Sequence, residues 1–442
     1  MNNRMSPELL PSTEQQRTLT TFDLAILCAA MVVNVVGLII PTQIFFAGAL
    51  SPLAILLCAL LGFSLVACLI TLTGDIGTRY GVPFTLFIRD CFGLRGAIVG
   101  SLARAAVCVT WCGIITWLGA SAINTILETW LGFSHFWIVF AIFAGCQIVN
   151  ASRGVKSMSR FGWLAIPLLA LMLCAMVLWL LKTHDITVLT VFERPPEPST
   201  PDSFTLFGAI SVFAGGWLSE ALNGSDLSRK LRLAHNAPEA SFFMRNRAMI
   251  IAFFTGFIIS GLVLSGTGLI SGVLSGHYDP VEMMKVSFRE QPLILVIGCL
   301  TLVVAQWSTN TCANIFPATL VLLNLCPRLS FAAATWIVGL LSILLMPWLL
   351  MAHLAWVQIL FSACLAPVLG IMLVHYYIIL RGHVDVAALY DSGQRRWRVN
   401  GMLALAIGII SGIVFRDQAF FVAFPVASLS YGLLVHIRGR ER

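Results

Sequence analysis

Polar positions along this chain are sparse and clustered, and between the clusters run apolar stretches of about 17 to 25 residues. A helix rising 1.5 Å per residue needs roughly that length to cross ~30 Å of hydrocarbon. Twelve stretches meet or approach it. The first six are Phe22–Phe46, Leu53–Thr73, Ala97–Ile123, the shorter Trp137–Asn150, Trp163–Leu181 and Thr205–Asn223. The second six are Ala248–Val273, Leu293–Leu323, Phe331–Leu350, Ala355–Leu380, Met402–Val414 and Phe420–Val435. The pattern predicts an all-α integral membrane protein with twelve transmembrane helices. One interrupted stretch, Tyr80–Leu94, is too short and too polar to span, and suits an amphipathic element lying on the membrane surface.

Composition agrees with the pattern. The chain has 442 residues, 58% of them hydrophobic and 11% charged, where a soluble domain carries roughly 25% charged residues. The net charge of +7 takes its meaning from placement. Loops on the side of the termini hold Arg79, Arg89, Arg95, Arg153, Lys156, Arg160, Arg229, Lys230, Arg232, Arg245, Arg247, Arg328, Arg381, Arg395, Arg396 and Arg398, and the tail adds Arg438, Arg440 and Arg442. The opposite side holds Lys182, Arg194, Lys285, Arg289 and Arg416. The roughly four-to-one excess assigns the rich side, and both termini, to the cytoplasm of an inner or plasma membrane. The positive charge is topogenic, so the expected partner is the lipid bilayer and not nucleic acid. Residues 1–21 form a polar N-terminal segment with no cleavable signal, so the first span is expected to be retained. The twelve cysteines show no CxxC or Cys/His ligand spacing, and read as small buried hydrophobes. Walker, H-E-x-x-H and G-x-S-x-G motifs are missing from the sequence, which argues against an enzyme.

Several spans contain residues that hydrocarbon does not tolerate unpaired. The eighth carries Gln306-Trp307-Ser308-Thr309-Asn310-Thr311-Cys312-Ala313-Asn314. Those polar groups require a protein interior, a solute, an ion or water. Ser308 and Thr309, with the carbonyl of Ala305, make a neutral oxygen set suited to sodium, although such hydroxyls also bond their own helix backbone. Two spans are weakened at comparable places. The first has Asn34, Gly37 and Pro41, and the sixth has Gly215, Gly216, Asn223 and Gly224. Paired interruptions mark transporter binding sites, while single glycines also serve close helix packing. Trp111 and Trp217 fall near mid-depth and suit stacking on a flat ring, or filling the core. Glu220 lies one helical turn beyond Trp217 and is a candidate for a substrate N–H or a transported proton. Arg104 and Asp226 are candidate partners in a cytoplasmic gate.

Six blocks together resemble the nucleobase–cation symporter-1 family of hydantoin, allantoin, uracil and cytosine permeases. They are L-P-S-T-E-Q-Q-R-T with F-D-L-A, Y-G-V-P-F…R-D-C-F-G-L-R-G, T-W-C-G-I-I-T-W-L-G-A, F-A-G-G-W…S-D-L-S-R, A-Q-W-S-T-N-T-C-A-N, and H-Y-Y-I-I-L-R-G…L-Y. They span about Leu10–Tyr390. The resemblance implies a LeuT-like core of two inverted five-helix repeats, here 22–182 and 205–380, plus two extra helices at 400–436. It implies cation-coupled alternating access for a small planar nitrogen heterocycle. By position, Trp111 and Trp217 look like the family's stacking pair, Gly216 offers backbone, and Asn314, with Asn310 nearby, resembles the substrate-binding asparagine. Asn34 stands where a substrate-proximal glutamine often occurs. In sodium-dependent members the cation is held by positions equivalent to Ala30, Val33, Ala305, Ser308 and Thr309. Sodium is therefore the one bound ion expected, and no other cofactor. One departure stands out. Ile115 replaces the glutamine that many members place four residues after the first tryptophan, which removes a contact worth about 0.5–1.5 kcal/mol. Two alternatives stay open: a proton symporter for a vitamin or nucleoside-type ring compound, with Glu220 titrating, and a membrane solute sensor that does not transport.

Overall fold

The computed structural model describes residues 9–153, 155–233, 239–391 and 395–441, with the side chains of 155–166 outside that description. Arg442 and the side chains of Lys156 and Arg160, counted in the charge asymmetry, lie outside the described residues. Among the described residues, six helices are long and apolar enough to cross a membrane: Pro52–Tyr80, Arg89–Leu131, Phe242–Ser275, Pro292–Leu325, Pro347–Ile379 and Arg416–Arg438. A seventh crossing is a bent pair, Thr21–Val32 and Val36–Phe46. Five shorter apolar helices complete the set, at Phe136–Ser152, Pro167–Thr183, Leu206–Gly215, Phe331–Leu344 and Val399–Val414. Together they occupy the twelve expected positions in order, and they are called spans 1 to 12 below.

Lipid-facing and core-facing positions separate as expected for such a bundle. Leu53, Leu57 and Leu61 of span 2 are exposed, while Ile55, Ala59 and Val66 of the same helix are buried. Spans 11 and 12 pack on each other and on span 10, at the margin of the core.

The termini-bearing face is tied down by polar contacts. Arg17 donates to the carbonyls of Gly77 and Thr78, at 3.2 and 3.0 Å, and Leu19 pairs with Leu231 in an isolated parallel bridge. Asp75 of span 2 receives Arg245 through both oxygens, at 2.7 and 3.0 Å, and Tyr376 of span 10 at 2.8 Å. Asp90 gathers Arg398, Arg440 and His375, joining the last two spans to the core.

One expectation is corrected here. The stretch Tyr80–Leu94 does not lie along the membrane surface: Val82, Phe84, Leu86, Phe87 and Ile88 are fully buried. A short helix at Phe84–Phe87 tucks beneath the bundle instead. Its apolar face finds protein to pack against, with Phe87 edge-on to Tyr376, and so needs no lipid.

Candidate functional site

The break in span 1 falls at Val33–Val35, where the two half-helices meet at 48°. The Asn34 side chain holds it. Its Oδ1 accepts from the amides of Val36 (2.9 Å) and Gly37 (3.3 Å), and its Nδ2 donates to the carbonyl of Met31 (3.2 Å). The second half-helix therefore begins on a side-chain cap, which satisfies donors that the break would orphan. Gln306 reaches across from span 8, and its Oε1 accepts from the Val35 amide at 3.2 Å.

Unwinding also exposes the carbonyls of Ala30 and Val33. Thr309 points at both, with its hydroxyl 2.9 Å from Ala30 O and 3.4 Å from Val33 O. Ala305 and Ser308 lie on the same helix within one turn, and Ala30, Ala305, Ser308 and Thr309 are all buried. The five positions supply backbone and hydroxyl oxygens and no nitrogen or sulfur, and that donor chemistry fits a hard monovalent cation.

Span 6 is broken twice. Its pieces are Leu206–Gly215, Leu218–Leu222 and Gly224–Ser228. The first glycine at that break, Gly215, is required by packing. A side chain on Gly215 would collide with the Gln358 carbonyl and the Ser362 hydroxyl, and one on Gly216 with the Gln358 amide.

Span 8 changes form within its polar run. The α-helix ends at Thr309, residues Asn310–Ile315 form a wider π-helical turn, and α geometry resumes at Phe316. This width has a geometric result. Residues five apart lie about 140° apart on an α-helix, but a π turn bonds i to i+5 and stacks them. Thr309 and Asn314 are therefore brought to one face.

That face borders a cavity. Its walls include Asn34 and Gly37 from span 1, Trp111 and Ile115 from span 3, and Gly216, Trp217, Ser219 and Glu220 from span 6. Ser265 from span 7, Thr309 and Asn314 from span 8 and Gln358 from span 10 complete the polar part of the lining. Trp111 is wedged edge-on against Phe361 at 5.8 Å, and Trp217 against Phe257 at 5.8 Å. The Trp111 indole N–H is buried without a hydrogen-bond partner among the described residues. Glu220 is buried, and one of its oxygens receives Asn223 Nδ2 at 3.1 Å.

Asn310 does not line this cavity, which corrects the expectation that it contacts solute. Its Nδ2 is turned into a polar knot with Cys112 O (3.1 Å), Thr116 Oγ1 (3.0 Å) and Gln147 Oε1 (3.0 Å). Its Oδ1 accepts from Asn314 Nδ2 at 3.0 Å. Asn310 thus orients Asn314, whose carbonyl oxygen is left for the cavity. Thr311 bonds back to the carbonyls of Trp307 and Ser308, both at 3.0 Å.

Below the cavity, Arg104 of span 3 meets Asp226 at 3.1 Å and Asn223 at 2.7 Å, and the Phe84 amide donates to Asp226 at 3.0 Å. The ion pair is buried, and it links span 3 to the end of span 6 beneath the cavity floor. Ser265 and Gln358 were missed by sequence reasoning. Ser265 is one of several hydroxyl residues in its span and Gln358 stands between apolar neighbours, and nothing in the local pattern reports which way either faces.

A twelve-span bundle with a cavity at the breaks of two helices is the architecture of a solute transporter. The comparisons with known proteins are specific. Residues 11–434 match the family model described as permease for cytosine/purines, uracil, thiamine and allantoin, and the chain belongs to that family. It is accordingly a multi-pass membrane transporter and not an enzyme. The hydantoin permease of Microbacterium maritypicum is 26% identical, covering 98% of this chain and 88% of that one. The allantoin permease of Bacillus subtilis (strain 168) is 26% identical, covering 99% and 94%. Among solved structures, Mhp1, a nucleobase–cation-symport-1 family transporter seen closed with bromovinylhydantoin bound, superposes with a TM-score of 0.90 at 23% identity, covering 98% of this chain and 97% of that one. A Na⁺-coupled sialic acid symporter shares the fold more distantly, with a TM-score of 0.65 at 11% identity.

Proposed function

We propose that this protein imports a small planar nitrogen heterocycle across the cytoplasmic membrane, driven by a co-transported cation, with both termini in the cytoplasm. The observation that carries the reading is the placement of Trp111, Trp217 and Asn314 around one cavity whose lining also includes Thr309, which points at the carbonyls of Ala30 and Val33. The ring stacks between the indoles, takes the Gly216 backbone and Asn314 as hydrogen-bonding partners, and leaves Glu220 for a ring or amino N–H. Sodium is the cation that the neutral oxygen set favours. It bridges spans 1 and 8 and so sets the angle of the broken helix that borders the solute. Coupling of the two ligands is then reciprocal. Residues 22–182 and 205–380 act as two repeats that rock about the site, with 400–436 as an added pair. The Arg104–Asp226 pair closes the cytoplasmic path.

A thermal-shift screen of purines, pyrimidines, hydantoins and pyridine vitamins, each with and without sodium, tests the reading. A ligand that binds the folded state raises the melting temperature. The expected outcome is a shift with one ring class that grows when sodium is added. No shift with any ring would sink the proposal.

One observation favours a second reading: Glu220 is a buried carboxyl in the cavity wall, where it serves equally as a proton carrier. Uptake that ignores sodium but rises as external pH falls would select it.

A further inference from the structure

Gln358 lies mid-way along span 10, where its neighbours in sequence are apolar. It is 5% exposed, it lines the cavity, and its Oε1 is buried without a hydrogen-bond partner among the described residues. A buried amide left unbonded within the protein is costly, so such a group belongs to a fold that expects a partner from outside. Its position is fixed from behind. The Ser362 hydroxyl, one turn on, donates to the Ser211 carbonyl at 2.8 Å, and this bond pins span 10 against span 6. The amide itself presses on Gly216, where any side chain would displace it. The glycine at the break of span 6 therefore serves Gln358 as well as the solute.

Ile115 lines the same cavity from span 3, buried and apolar, and offers nothing to an amide edge. The geometry points to Gln358 as the specificity-determining residue that supplies the amide contact from span 10, pairing with a cis-lactam edge of the transported ring. Whichever way round it lies, a primary amide presents one donor and one acceptor side by side. A ring lactam presents the complementary N–H and C=O at the same spacing, so two hydrogen bonds form together. The Ser265 hydroxyl, also buried in the wall without a partner among the described residues, is placed for a further ring substituent. This inference rests on the reading of the cavity as a heterocycle site and adds the chemical class of the ring edge.

The test is binding to the purified full-length protein by uracil, hydantoin, allantoin and hypoxanthine, each beside its singly N-methylated forms. In the wild type, methylating the lactam nitrogen of the ring that binds is expected to weaken binding about tenfold. Gln358→Met keeps the length of the side chain and removes the amide. It is expected to weaken the parent ring about tenfold and to abolish the penalty of methylation. Gln358→Glu keeps an acceptor and loses the donor. It should still discriminate against the methylated ring while binding the parent more weakly, and it carries the test alone if the Met variant does not elute as a folded protein. Wild-type binding that the substitutions leave unchanged, methyl penalty included, overturns the role of Gln358 and leaves the heterocycle site standing. Binding only of rings without a lactam edge, with adenine and thiamine as probes, also overturns it. No ring bound by the wild type overturns the site itself.

Discussion

At the scale of single residues, two side chains four positions apart in span 8 have opposite duties. Asn310 is buried in a knot with Cys112, Thr116 and Gln147, while Asn314 borders the cavity. A sequence shows that both are polar and in hydrocarbon, and no more, because facing depends on a turn width that composition does not encode. Trp111, Trp217, Glu220 and Thr309 were legible because a large or ionisable group in a span needs a reason. Ser265 and Gln358 were not, because an uncharged polar residue in a span gives no sign of which way it faces. The oxygen set makes a direct prediction. Ser308→Ala with Thr309→Ala removes two side-chain oxygens and leaves the carbonyls, and sodium stimulation of ring uptake should fall at least tenfold. An unchanged sodium response would reassign the cation.

Among elements, the break in span 1 is a built feature. Asn34 caps the second half-helix and Gln306 takes the Val35 amide, so the bend is held by two side chains from different spans. Asn34→Ala strips the cap, and caps of this kind are worth about 0.5–2 kcal/mol. A lower melting temperature is expected, with ring affinity falling further than the stability loss alone explains, since Asn34 also borders the cavity. Full affinity in a destabilised variant would limit Asn34 to a structural role. Glycine, proline and asparagine close together in an apolar run announced this break. The burial of Phe84–Phe87 went unannounced, because an amphipathic segment reads the same whether lipid or protein covers its apolar side.

At the scale of the whole molecule, the count and order of the spans were legible from hydropathy, since hydrocarbon thickness imposes helix length on any crossing. The closure of the termini-bearing face was only partly so. Arg104 and Asp226 stood out as charges near span ends, but the links of Asp75 with Arg245 and Tyr376, and of Asp90 with Arg398, Arg440 and His375, join residues hundreds of positions apart. The gate prediction follows from the desolvated pair. Removing one partner of a buried ion pair strands the other, at a typical cost of 3–5 kcal/mol. Arg104→Ala and Asp226→Ala should each abolish transport, and the double variant should be no worse than either single one in stability. Additive losses would show that the two do not act as a pair.

The π turn of span 8 carries a consequence for how the protein tolerates insertion and deletion. A π turn amounts to one residue more than an α-helix needs over that length, so the binding face depends on the number of residues there as well as on their identity. Deleting Cys312, which touches neither proposed ligand, is expected to let the segment relax to α geometry. Thr309 and Asn314 then stand four residues apart, about 40° round an α-helix, so they keep one face and ring binding should survive. Inserting one alanine after Cys312 instead adds a second surplus residue, and everything beyond it turns by about 100° about the helix axis. Asn314 would swing out of line with Thr309, and ring binding should be lost while sodium still stabilises the protein. Such a variant would hold the cation half of the site with no solute half, the same side chains present and only their phase changed.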